Sequence, residues 1–272
     1  MRILLTNDDG VYAPGLRALR KELQKLGEVT VVAPAGEQSA VGHSITLLTP
    51  LLVQEVLDDG NQPMGWAVEG RPADCVKLAL LELLPAAPDL VVSGLNAGSN
   101  AGINVLYSGT VAAAIEGAFF GCTSIAVSLE YTKPKPLDFS RAADMARGVI
   151  EQLLQHWPLP PSTPSADKSR EHGTLFNINI PSLEKGPIRG VRVVPQNVAS
   201  YVERFDRRVD PRGRVYFWSG PDFSCPSPHP DSDVSAMGEG YITVTPLQFN
   251  LTHAPLLEKM KQWKWHLGLG SS

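Results

Sequence analysis

The chain predicts an α/β fold, a three-layer α/β/α core around a mostly parallel sheet, with a β-hairpin projecting from it. Three observations carry this. Short, largely apolar runs at residues 3–5, 29–33 and 90–92 have the texture of strands buried on both faces. Segments with apolar residues at helical spacing alternate with those runs, and such a rhythm builds a parallel sheet with helices on both faces. Asn, Asp, Gly and Ser collect where the runs end, which is where open α/β sheets bind ligands.

The elements follow in order. Residues 2–6 form the first strand, and Asn7, Asp8, Asp9 and Gly10 end it. Residues 14–26 form a helix with Leu16, Leu19, Leu23 and Leu26 on one face. Residues 29–33 are the second strand, closed by Pro34. Residues 44–56 read as one or two strands, and residues 66–68 as another. Pro72 opens a helix through Leu83, since proline suits a first helical position. Residues 90–92 are a third core strand. Ser108 caps a helix running to Phe119, residues 124–127 return as a strand, and residues 138–155 are helical. Residues 158–172 form a proline-rich surface loop, and residues 174–180 a further core strand.

From Val191 the texture changes. Tyr201, Glu203, Phe205, Arg207 and Val209 alternate, Asp210-Pro211-Arg212-Gly213 is a turn signal, and residues 215–218 answer as a second strand. A hairpin bearing aromatics needs cover, which a second subunit can supply. Residues 219–232 are a loop, Asp233 is read as a helix cap, and residues 241–245 offer a last strand. Leu256, Leu257, Met260 and Trp263 share a helical face in the tail, which is expected to dock on the body or on a partner. The 272 residues are read as one domain: a core over about 1–190 and 236–250, a hairpin and arm over about 191–235, and a tail helix over about 253–267.

Composition excludes several classes. No apolar run approaches the roughly eighteen residues a membrane helix needs, and no signal-like N-terminus is visible. Cys75, Cys122 and Cys225 are odd in number and far apart, so they suggest thiols in a reducing, cytoplasmic compartment. A net charge of −4 with no basic stripe argues against a nucleic-acid partner, though not against one small phosphorylated ligand.

Chemistry is concentrated in three loops. Asp8 and Asp9 are adjacent carboxylates that repel each other unless a proton or a cation intervenes, and a hard divalent ion suits oxygen ligands. The alternative is a plain capping turn. Residues 93–110 hold four glycines, three asparagines and three serines without a Lys or Arg, so the loop can approach a ligand closely. Ser108, Gly109 and Thr110 fall at a helix start, where free N–H groups favour an anion such as phosphate; a routine serine cap is the other reading. No Walker lysine is present, and the dinucleotide glycine pattern is missing from the first turn. Asn96 can offer its carbonyl oxygen to a cation, its amide to a phosphate, or simply make a turn. In the loop after the second strand, Ser39 can lend a neutral oxygen to a cation. His43 there can act as a general acid or bond a neighbour. Adjacent residues in a strand point to opposite faces, so both aspartates reach one ion only if the chain bends at Asp8.

Together these segments resemble the survival protein E family of nucleotidases. The resemblance rests on residues 3–10, the loop from Ala33 to Ser39, residues 70–75, residues 93–100, Tyr107 to Val111 and Gly240 to Leu247. It implies a Rossmann-like core, a swapped C-terminal arm and a homodimer or homotetramer. It also implies a phosphatase that depends on a divalent cation, Mg²⁺ or Mn²⁺, and acts on nucleoside monophosphates as a 5′-nucleotidase, with 3′-nucleotidase and exopolyphosphatase activity as extensions. By motif, Asp8, Asp9, Ser39 and Asn96 match the family's metal ligands, Asp8, Asp9 and Asn96 its catalytic residues, and Asn96, Ser108, Gly109 and Thr110 its phosphate-facing groups. Ser232-Asp233 stands where a Thr-Asp pair is frequent in the family. Two rivals remain at this point. A phosphoaspartate receiver also carries an acidic pair after its first strand but needs an aspartate ending the third, where Ser93-Gly94 stands; a non-catalytic nucleotide-binding module needs no acidic metal site.

Overall fold

The structure is a computed structural model and describes residues 1–131, 136–157, 159, 172–200, 204–219, 225 and 227–265. Nine strands form one sheet in the order β3-β4-β2-β1-β5-β6-β7-β11-β8. These are β1 (Arg2–Thr6), β2 (Glu28–Pro34), β3 (Val53–Leu57), β4 (Pro63–Val68), β5 (Leu90–Ala97), β6 (Thr123–Leu129), β7 (Leu175–Ile180), β8 (Val191–Val193) and β11 (Ile242–Leu247). The six central strands from β4 to β7 run parallel, while β3 and β11 join antiparallel to their inner neighbours. The residues of β6 and β7 are buried throughout, and their apolar side chains are interrupted only by Thr123, Ser124, Ser128, Asn177 and Asn179.

Helices cover both faces, and the strand alternation decides which residue meets which helix. Ile3 and Leu5 pack in one core cluster with Leu16, Leu19 and Leu23 of α1 (Pro14–Leu23) and with Ala142, Ala146 and Ile150 of α4 (Phe139–His156). Leu4, between them, points the other way into a cluster with Cys75 and Val76 of α2 (Pro72–Leu78) and Ala113 of α3 (Gly109–Phe119). The order places β1 between β2 and β5, so the chain winds outward in both directions from β1. The crevice at that reversal lies above the carboxyl ends of β1 and β5.

Several expected boundaries move. Residues 44–52 form no strand, and pairing begins only at Val53. The helix from Pro72 ends as an α-helix at Leu78 and widens into a π-turn over Ala79–Leu83. Ser232, not Asp233, caps α5 (Asp233–Gly238), its hydroxyl accepting from the Ser235 N–H. The short strand β8 was not anticipated: only three residues long, it lacks a periodic signature.

The hairpin is present as β9 (Phe205–Val209) paired antiparallel with β10 (Val215–Ser219), in a sheet of its own. Phe205, Phe217 and Trp218 stand exposed on it. The tail helix α6 (Ala254–Met260) is shorter than expected and buries no residue, so it does not dock on the body of its own chain. Most of the proline-rich loop at 158–172, Tyr201 and Glu203 of the alternating segment, part of the 219–232 loop, and the end of the expected tail helix lie outside the described residues.

Candidate active site

β1 delivers the aspartate pair through a bend made locally. The Asn7 side chain closes the turn on itself: its Nδ2 donates to the Gly10 carbonyl at 2.9 Å and its Oδ1 accepts from the Gly10 N–H at 3.2 Å. Gly10 has φ +103°, and a Cβ there would lie 3.3 Å from the Gly36 carbonyl carbon. The chain therefore leaves the pleat at Asn7, and both carboxylates reach the same cleft. That cleft, of about 630 Å³, is lined by Asp8, Asp9, Ser39, Asn96 and Ser108 among others.

Asp8 is almost fully buried and is held by the start of α3. Its Oδ1 accepts from the Thr110 hydroxyl at 2.6 Å and its Oδ2 from the Thr110 N–H at 3.0 Å. Gly109 makes this approach possible, since a Cβ there would lie 2.8 Å from the Asp8 Cβ. The helix N-terminus thus turns a backbone donor and a hydroxyl toward an anion belonging to the protein itself. Burial nevertheless raises the Asp8 pKa, with the Thr110 hydrogen bonds opposing it. Gly109 and Thr110 face Asp8 rather than lining the cleft. Ser108 does line it; its oxygen accepts from the Val111 N–H at 3.0 Å, which leaves its proton free to be donated.

Asp9 is the more open of the two. Burial first, then the Asp8 charge, push its pKa up to about 6, with the Ala97 N–H opposing and Glu37 adding to the rise. Among the described residues neither aspartate has a Lys or Arg partner. Two crowded carboxylates without a counter-charge, one facing a cleft, form a donor set suited to a hard divalent cation. The neutral oxygens expected beside them are close by. Asn96 follows a register shift in β5 between Ser93 and Asn96, and its Nδ2 donates to the Gly98 carbonyl at 2.7 Å, which leaves Oδ1 without that bond. Ser39 is exposed and donates to Glu37 at 2.5 Å. No cluster of three His, Cys, Asp or Glu residues able to hold a metal exists among the described residues, so any such ion relies on the amide and hydroxyl oxygens as well.

His43 lies apart from the cleft lining. Its Nε2 is 2.9 Å from the Glu116 carboxylate, which also pairs with Lys77 at 3.2 Å. Burial alone would raise Glu116, but the bond from His43 and the Lys77 charge outweigh it and lower its pKa.

Sequence reasoning missed the residues that hold the glycine-rich loop. Asn179 of β7 accepts from the Asn100 N–H at 2.7 Å, Asn177 donates to the Asn100 carbonyl at 2.8 Å, and the Asn100 amide donates to Ser128 at 2.8 Å. The signal was available: two asparagines at alternate positions of an otherwise apolar strand share one face. Asp233, fully buried, accepts from the N–H groups of Gly102 and Asn197, each at 2.8 Å. Glu37 was missed as well; it lies two residues before Ser39 and lines the same cleft.

The chain is similar to known proteins over nearly its whole length. The family model described as survival protein SurE matches residues 3–203. The chain is 54% identical over 264 residues to the 5′-nucleotidase SurE of Rhodopirellula baltica, covering 97% of this chain and 98% of that protein. It is 45% identical over 263 residues to the 5′-nucleotidase SurE of Syntrophobacter fumaroxidans, covering 97% and 99%. The crystal structure of the SurE protein from Aquifex aeolicus superposes with a TM-score of 0.78 at 35% identity, covering 96% of this chain and 98% of that one.

Proposed function

The chain belongs to the survival protein SurE family, and from that premise we propose that it is a 5′-nucleotidase, a phosphomonoesterase that splits nucleoside monophosphates into nucleoside and phosphate. The observation that carries the reading is the uncompensated Asp8–Asp9 pair lining a cleft that Ser108, the cap of α3, lines as well.

Asp8, Asp9, Ser39 and Asn96 would hold the divalent cation, Mg²⁺ or Mn²⁺. Once bound, it would supply charge to a phosphate oxygen and acidity to a water. The protein's own groups do the rest. Thr110 fixes the Asp8 carboxylate, so the geometry of the pair does not reorganise during reaction. Asp9, nearer the solvent, accepts a proton from the attacking water as its oxygen bonds to phosphorus and the ester P–O bond breaks. Ser108 and Asn104 line the cleft, where the hydroxyl of the one and the side-chain amide of the other would donate to phosphoryl oxygens. Glu116 holds His43 outside the cleft lining, so the leaving alkoxide takes its proton from solvent.

The exposed aromatics of β9 and β10, and an α6 without a buried residue, support a homodimer or homotetramer assembled through the hairpin and arm. Three free cysteines fit a cytoplasmic setting. No helix among the described residues is long and apolar enough to cross a membrane.

A phosphate-release screen over 5′- and 3′-nucleoside monophosphates and polyphosphate, each with and without chelator, tests the proposal. Release from 5′-monophosphates that chelator abolishes is the expected result; 3′-nucleotides and polyphosphate show whether the site demands more than a terminal phosphoryl group. Release from none of them, or release indifferent to chelator, would refute it.

A further inference from the structure

A second cleft, of about 310 Å³, opens beside the first. Ser99 and Asn104 line both, so the two adjoin along the glycine-rich loop. Its remaining wall includes Ile103, Met237, Glu130 and Lys185. Glu130 stands just past the carboxyl end of β6, two strands along from β1 in the order β1-β5-β6. At the usual strand spacing that is about 10 Å from the aspartate pair. A nucleoside monophosphate with its phosphate at Asp8 and Asp9 spans a comparable distance to its base.

We propose that this second cleft seats the nucleobase, and that the Glu130–Lys185 pair reads its edge and favours guanine. The inference rests on the nucleotidase reading above and adds a specificity to it. Ile103 offers apolar surface for a planar ring, backed by the nearly buried Met237 on the same wall. Glu130 is held in place: its Oε2 accepts from the Ser182 N–H at 2.9 Å and its Oε1 from the Lys185 ammonium at 2.6 Å. A carboxylate so oriented keeps lone pairs for two neighbouring N–H donors, and an ammonium next to it donates to an oxo oxygen. Guanine presents that series along one edge: a ring N–H and an amino group for Glu130, an oxo group for Lys185. Adenine sets an unprotonated ring nitrogen against the carboxylate and an amino group against the ammonium, so both contacts turn repulsive.

The test is steady-state phosphate release from GMP, AMP and ribose 5-phosphate by the wild-type protein, Glu130→Gln and Lys185→Met. Glu130→Gln keeps an acceptor for the Ser182 N–H, so a merely structural role would leave base selectivity unmoved. The wild type is expected to favour GMP over AMP in kcat/KM by about tenfold or more, the selectivity available to a site built to bond polar groups. Either substitution is expected to erase most of that preference while ribose 5-phosphate turnover stays within about twofold. Equal kcat/KM for GMP and AMP in the wild type, or a loss in the variants as large on ribose 5-phosphate as on GMP, overturns the base assignment alone. Failure of the wild type to release phosphate from any of the three overturns the nucleotidase reading and the base assignment with it.

Discussion

Residues 96–104 and residues 35–46 both reach the cleft at Asp8 and Asp9, yet they are anchored in different ways. The first loop is clamped from beneath by buried polar groups: Asn177 and Asn179 of β7, Ser128 of β6, and Asp233 at the start of α5. The second is largely exposed and hangs from separate tethers. The Gln38 N–H donates to the Asp8 carbonyl at 2.7 Å, the Gly42 N–H to the Tyr107 carbonyl at 2.9 Å, and His43 meets Glu116. Arg71 adds a bond to the Gln38 side chain. Ala40, next to Ser39, carries φ +54°, a left-handed conformation that costs on the order of 1 kcal/mol for a residue with a Cβ. The contrast separates two tasks. The buried loop sets the position of the cleft, and in the proposed site the exposed loop would complete the ligand set from a place where rearrangement is cheap.

The largest effect sharpens that contrast from the side both loops serve. Asp8→Asn is expected to reduce kcat/KM for a 5′-nucleotide by about a thousandfold or more, since it weakens the cation's hold and the charge complementarity of the site at once. Measured phosphate release with saturating Mg²⁺ or Mn²⁺ checks it; a loss that excess cation restores fully would assign Asp8 to affinity alone.

Asp233→Ala comes next. It leaves the buried Gly102 and Asn197 N–H groups without their acceptor, a cost of about 3 kcal/mol in unfolding free energy, with activity falling as the loop loosens. Asn179→Ala removes one such bond and is expected to cost about 2 kcal/mol. Denaturant melts measure both. If either variant is as stable as the wild type, the clamp is not what holds the first loop.

Ser39→Ala should behave in the opposite manner. Its side chain is exposed, so stability should move by less than about 0.5 kcal/mol, while kcat/KM falls by about tenfold through the lost cation oxygen. A stability loss without an activity loss would reverse the roles assigned to the two loops.

The smallest effect concerns charge. Asp9 has its pKa raised in the folded protein from 3.8 to about 6, so the stability attached to this group is full below about pH 4 and is lost as pH rises through about 6. Metal-free Asp9→Asn should therefore be the more stable protein at pH 7, by on the order of 1 kcal/mol once screening of a partly open carboxylate is allowed for. The advantage should vanish at pH 4 and reverse when the cation is added. Thermal melts at the two pH values, with and without cation, check the sign.

Much of this arrangement was legible in the chain, for reasons that differ by element. β1, β2, β5 and α1 announce themselves because each is a short apolar run or a regular helical face bounded by turn residues. Asp8 and Asp9 stand out because two adjacent acids after a core strand demand a physical explanation. The bend that brings them together was only a condition in the sequence; the Asn7–Gly10 turn supplies it. Residues 44–52 misled because Ile45, Thr46 and Thr49 carry strand propensity, and propensity yields to the absence of a partner strand. Thr110 reads as an anion donor by its place at a helix start, yet the anion it meets is Asp8, a contact between residues more than a hundred positions apart that no local pattern encodes. The Asn100 clamp was half legible: Asn177 and Asn179 mark one face of an apolar strand, but that Asn100 is their partner lies beyond any local pattern.

Cation binding by the protein and its two single variants, followed calorimetrically with Mn²⁺ alongside phosphate release from a 5′-nucleotide, tests the central claim most directly. The account predicts one site per chain in the wild type, greatly weakened in Asp8→Asn and in Asp9→Asn, with activity falling in step. Variants that bind Mn²⁺ as the wild type does and still turn over the nucleotide would contradict it.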